Sequence, residues 1–164
     1  MPFVWSKTRT NPIFTIISCI SSAKKGIIRI SRRKFGFALG LTDEDFENAL
    51  PIFECIAHTG AILRGMLLGS PPENRAGALV NETMVCRYSE EFDTYLDKHY
   101  ALGEDARAFF IVHSKVDKEH TALAAKVIAR YANSERDQYL VREAARNMVR
   151  FKIAKFEGIY KAYT

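Results

Sequence analysis

From Phe35 to the C-terminus, apolar residues recur at three- and four-residue steps, the period of helices with one buried side. Leu41-Thr42-Asp43-Glu44 predicts a helix start with Thr42 as N-cap and Asp45 at the third helical position. A second helix should follow Pro51, present Phe53, Ile56, Ala57, Ile62, Leu63 and Leu67 to the core, and end at Gly69-Ser70-Pro71-Pro72. Proline suits the first turn of a third helix, because the donor it lacks is unpaired there anyway. That helix should run to Tyr100, with Leu79, Val80, Val85, Phe92, Tyr95 and Leu96 on its apolar side. Gly103 breaks it. A fourth helix is predicted over Glu104 to Ala132, with Phe109, Val112, Val116, Leu123, Val127 and Tyr131 at helical steps. Asn133-Ser134 breaks and recaps the chain, and a last helix over Glu135 to Ala162 carries Leu140, Met148, Phe151, Ile159 and Tyr163. Strand-type alternation is absent from residue 35 onward. The expected architecture is an all-α antiparallel bundle with short loops.

Charge changes the picture at the N-terminus only. The net charge is +5 over 164 residues, yet residues 1–34 hold Lys7, Arg9, Lys24, Lys25, Arg29, Arg32, Arg33 and Lys34 and no acid. The rest of the chain is therefore mildly acidic, and a phosphate-tracking surface on the bundle gains no support. The chain divides into a basic segment, 1–34, and a helical domain, 35–164. The segment resembles a transit-type presequence, with a disordered arm or drifted coding sequence as alternatives. The longest apolar run, Pro12 to Ile20, is too short to span a bilayer. Cys19, Cys55 and Cys86 form no CxxC pair and read as free thiols of a cytoplasmic protein.

The chemistry concentrates in HSKVDKEH, residues 113–120. His113, Asp117 and His120 lie four, three and seven residues apart, so they share one helical face. The same stripe holds Phe109, Val116 and Leu123 or Ala124, which places it toward the core. A buried carboxylate and buried imidazoles need partners, and either a cation or a closed hydrogen-bond network would supply them. Two imidazoles and a carboxylate suit non-haem Fe(II), with positions left open. Glu82, between Leu79 and Val85 on an antiparallel helix, is the candidate facing ligand, or else a solvated boundary residue. Glu54 and His58 form a further i, i+4 pair at ordinary bundle positions.

The string from Tyr100 to Ile128, YALGEDARAFFIVHSKVDKEHTALAAKVI, resembles the haem-oxygenase-like iron-containing redox enzymes. The resemblance is to the branch of the chlamydial death-domain-associating protein, the pyrroloquinoline quinone biosynthesis C protein and the TenA proteins. Phe35-Gly36-Phe37-Ala38-Leu39-Gly40-Leu41 looks like that family's F-x-x-A-L-G turn, so the similarity covers residues 35–162. It implies a seven-helix bundle around an iron or mixed manganese–iron pair that uses oxygen on small molecules. It also implies that Glu82, His113, Asp117 and His120 are four of six usual ligands. The first two ligands fall at Ser21 and Ile28, neither a good ligand for iron, and the chain is N-terminally truncated relative to the family. One metal is then expected rather than a pair. Helices that have lost their partners should expose apolar faces, which predicts a homodimer.

Three functions compete. The first is an iron-dependent oxidoreductase acting with oxygen on a small organic molecule. The second is an inactive or regulatory paralogue with an incomplete metal site. The third is a TenA-like hydrolase, for which Cys86, one turn from Glu82, is the candidate nucleophile.

Overall fold

The computed structural model describes residues 27–163, apart from the side chains of residues 27–29, 116–119 and 163. Six helices make up the described chain: α1 (Ile27–Ala38), α2 (Asp43–Asn48), α3 (Phe53–Leu68), α4 (Pro71–Tyr100), α5 (Glu104–Tyr131) and α6 (Glu135–Tyr163). No strand occurs among the described residues.

Local chemistry sets most of the ends. The Thr42 hydroxyl accepts from the Asp45 amide at 3.3 Å, and the Thr42 amide donates to the Asp45 carboxylate at 2.7 Å, a closed capping box. Ser70 and Glu73 form the same device at the start of α4, where Pro71 and Pro72 fill the first turn. Ser134 and Asp137 repeat it for α6. The hydrogen bonds from Ser134 and Ser70 hold both carboxyls below their usual range. Gly40 ends α1 at φ +85°, and the Leu41 amide donates back to the Gly36 carbonyl at 3.0 Å. The F-x-x-A-L-G string is thus a helix stop whose last residue needs a left-handed backbone.

Neighbours run antiparallel along the chain. Pairs Glu82–His120, Cys86–Ser114 and Asp93–Arg107 align α4 against α5. Gly77–Met148 and Asn81–Lys152 set α6 parallel to α4. α3 packs on α6, with the Glu54 side chain lying over Gly158. α1 packs on the first half of α5, where Phe35 meets Phe110 edge-on with centroids 5.2 Å apart. The core there is Phe35, Leu96, Phe109 and Phe110, flanked by Leu39, Leu41, Phe46 and Leu102. Arg107 pins the α4–α5 turn: its Nε donates to the Leu102 carbonyl at 2.7 Å and its guanidinium pairs with Asp93 and Asp97.

The structure departs from the sequence expectations in three places. α1 reaches back across residue 34, so residues 27–34 belong to the bundle although they carry Arg32, Arg33 and Lys34. Those guanidiniums lie on aromatic rings, Arg32 over Phe109 and Arg33 over Phe46, which lets charged side chains cover apolar surface. On α3 the predicted core side is reversed: Phe53, Ile56, Leu63 and Leu67 are exposed, while Cys55 and His58 are buried. α3 is apolar on nearly every side, so its pattern names no unique buried face. Finally, Cys55 is disulfide-bonded rather than free, while Cys86 is free. Cys19 and the Pro12 to Ile20 run lie outside the described residues.

Candidate metal centre

α5 and α4 cross so that His120, the last residue of HSKVDKEH, comes near Glu82. The His120 Nδ1 and a Glu82 carboxylate oxygen are 4.0 Å apart, with the glutamate 27% and the histidine 55% exposed. Two turns earlier on α5, the half-buried His113 holds its Nδ1 2.7 Å from the Phe109 carbonyl. A carbonyl only accepts, so Nδ1 carries the proton and Nε2 keeps the lone pair a cation would use. The Phe109 ring packs on the same imidazole, with centroids 4.1 Å apart. Asp117 lies on α5 between the two histidines, and its side chain is outside the described set.

The stripe expected to face the core does so unevenly. Phe109 and Ala124 are buried, whereas Leu123 is exposed and His120 is the most open of the candidate ligands described. α1 covers the Phe109 level through Arg32 and Phe35, and this cover explains why the face closes there. α1 itself, where the family register would put a ligand at Ile28, contains no Asp, Glu, His or Cys. Ser21 is outside the described residues. Among the described residues no three His, Cys, Asp or Glu side chains converge on one point.

The other candidates resolve without a metal. Cys86, on α4 one turn beyond Glu82, donates its S–H to the Ser114 carbonyl at 3.3 Å, a packing contact across α4 and α5. His58 is buried against α6, and burial, reinforced by Lys152 and Lys155, pushes it down to about 4. It is a neutral imidazole in cationic surroundings, a poor place for a further cation. Glu54 lies over Gly158 instead of joining it.

Sequence reasoning missed the buried cations of α6. Lys152 is almost fully buried and donates to the Asn81 side-chain oxygen at 2.6 Å, with the Tyr88 ring 5.5 Å away. Lys155 is 8% exposed and lies 5.2 Å from the Phe156 ring. Burial, with Arg32 alongside, pushes Lys155 down to about 8. Lysines three apart in RFKIAKFE carry no local signal of burial beyond their interleaving with Phe151, Ile153 and Phe156.

The described residues therefore offer a carboxylate and two imidazoles on facing helices, with one imidazole held in the tautomer that ligates. That donor chemistry suits iron, while the three groups do not converge on one point among the described residues. No helix of the described chain is long and apolar enough to cross a membrane. No curated protein matches the chain. A family model does, over residues 32–152, a span that includes Glu82, His113, Asp117 and His120 and takes in the F-x-x-A-L-G turn. The chain belongs to the haem-oxygenase-like family of iron-containing redox enzymes.

Proposed function

We propose that the chain is an iron-dependent oxidoreductase acting with oxygen on a small organic molecule, with one iron held by Glu82, His113, Asp117 and His120. The observation that carries this reading is the approach of Glu82 to His120 across the antiparallel α4 and α5. Iron held there supplies one-electron chemistry toward oxygen, which the side chains alone cannot provide. The protein's part is positioning. The Phe109 carbonyl fixes the His113 ring and its tautomer, and the Phe109 ring keeps water from one side of it. Glu82 brings negative charge that offsets part of the cation's.

A second reading, a regulatory paralogue without turnover, is favoured by the open His120 and by the lack of a ligand on α1. The hydrolase reading is weaker, because the Cys86 thiol is engaged by the Ser114 carbonyl rather than by a base among the described residues. Anaerobic loading with Fe(II), desalting and metal analysis separate the first two. About one iron per chain, lost in His113→Ala and in Glu82→Ala, is the outcome expected for the four-ligand set. No retained iron, or iron unchanged in both variants, leaves the paralogue.

The α3 surface bears on assembly. Phe53, Ile56, Leu63, Met66, Leu67 and Leu68 are exposed on one helix, more apolar surface than a monomer usually leaves in water. A second copy of the chain is the proposed cover, forming an isologous dimer through α3. Light scattering on the wild type and on Leu67→Lys reads this directly: a dimer that becomes a monomer is expected, and a wild-type monomer rules the dimer out.

A further inference from the structure

A cavity of about 160 Å³ lies where α1, α4, α5 and α6 meet. Rings from Phe35, Tyr88, Phe92, Phe109, Phe110 and Phe156 line it. They brace one another edge-on: Phe109–Phe110 and Phe35–Phe110 at 5.2 Å, Phe92–Phe110 and Tyr88–Phe156 at 5.6 Å. A wall built this way is preformed, so an occupant would not have to order it. The volume matches one aromatic ring, since an apolar cavity of roughly 150 Å³ is known to take up benzene.

One charged side chain lines this cavity, Lys155. It is 8% exposed, and among the described residues no carboxylate pairs with it. Its neighbours do not neutralise it: the Phe156 ring, and Arg32, whose charge opposes it. A buried ammonium of this kind is costly unless an anion reaches it. The cavity therefore has an apolar body sized for a ring and a single cation at its wall, a combination that selects for shape and charge together.

We propose that this cavity binds a small aromatic carboxylic acid, its ring among the phenylalanines and its carboxylate on the Lys155 ammonium. Phe109 connects the cavity to the candidate metal centre, because the ring that lines the one also packs on His113. The occupant thus sits one aromatic layer from the proposed iron. The inference rests on the iron reading only in calling this acid the substrate; binding itself needs no metal.

Protonation gives the site a pH signature. Groups facing Lys155 are Arg32 from α1, His58 from α3, Tyr88, Tyr95 and Tyr100 from α4, and Lys152 on α6, while α5 presents phenylalanines. His58 is neutral above about 4 and Arg32 is charged below about 10, so between these limits neither changes the charge. The acid requires the ammonium form. Its affinity should be flat below pH 8 and fall about tenfold per pH unit above it.

The test uses the full chain with iron removed by chelation, titrated calorimetrically with benzoate and with benzyl alcohol, a neutral molecule of similar shape. Benzoate is expected to bind about tenfold or more tighter than benzyl alcohol. In Lys155→Met that preference should disappear while benzyl alcohol still binds. Should the variant not fold, the wild-type pH profile carries the same information. Equal affinity for the two probes, no binding of either, or a profile flat through pH 9.5 would overturn the proposal. So would borohydride trapping of benzaldehyde on Lys155 in a protein that ignores benzoate, because the amine would then be a carbonyl-binding group. Benzoate binding by a chain that retains no iron keeps this inference and removes the proposed function; iron without benzoate does the reverse.

Discussion

Replacing Arg107 with leucine should cost the fold about 3 kcal/mol, and the structure says where that comes from. The guanidinium is 9% exposed and meets four acceptors: the Leu102 carbonyl at 2.7 Å, the Asp93 carboxylate, the Asp93 carbonyl at 3.4 Å and the Asp97 carboxylate at 3.1 Å. Asp97 is open to water, and its pairing contributes roughly 0–1 kcal/mol. The larger part comes from Asp93, which is less than a third exposed and would lose its cationic partner, together with the orphaned Leu102 carbonyl. Breaking a buried pair typically costs ~3–5 kcal/mol, and the partial exposure of Asp93 puts this case at the lower end. Urea unfolding at pH 7 reads the change directly, and in a chain of this size it should lower Tm by roughly 6–12 °C. Asp97→Asn serves as the control and should cost under about 1 kcal/mol. A loss below about 1 kcal/mol in Arg107→Leu would refute the reasoning, because the α4–α5 turn would then be held by apolar packing alone.

Stability should also rise with pH between about 4 and 6.5, because His58 binds its proton in the unfolded chain at pH values where the buried imidazole stays neutral. The contribution is on the order of 2–3 kcal/mol, complete above pH 6.5 and lost as pH falls toward 4; unfolding free energies of wild type and His58→Gln at pH 4.5 and 7 should differ in slope accordingly. Gly40→Ala, at φ +85°, should cost about 1–2 kcal/mol through backbone strain alone, since no atom lies within 4 Å of where its Cβ would be; denaturant midpoints check it. Ser70→Ala should cost about 1 kcal/mol and shorten α4 from its first turn, measured as helicity lost ahead of the main thermal transition.

The five helices from α2 to α6, their order and most of their ends were legible because these boundaries are written in short-range chemistry, whereas α1 carries no such start signal and was not predicted. Thr42 with Asp45, Ser70 with Glu73, and Asn133-Ser134 act within one turn, so they depend little on the rest of the chain. The faces were less legible. α3 is apolar nearly all round, and which side is buried was decided by what α6 and α4 offered it, here Lys152, Lys155 and Asn81 around His58. The burial of Arg32, Lys152 and Lys155 follows from rings that are distant in sequence, Phe109, Tyr88 and the walls of the aromatic cavity, and no local pattern announces it. At the candidate centre, helical spacing gives His113 and His120 a shared stripe of α5, and the structure brings His120 of that stripe near Glu82. Spacing could not give the gradient along that face, from the closed Phe109 level to the open His120, which depends on how far α1 reaches.

The central claim is a single iron held by imidazole and carboxylate groups on α4 and α5. X-ray absorption on the anaerobically iron-loaded protein tests it most directly. Nitrogen and oxygen scatterers are expected at roughly 2 Å, the distance of imidazole and carboxylate ligands, with imidazole outer-shell scattering that halves in His120→Ala. No iron–iron vector is expected. A metal–metal distance of roughly 3.5–4 Å would contradict the account by showing a pair, and the absence of imidazole scattering would contradict it by removing α5 from the site.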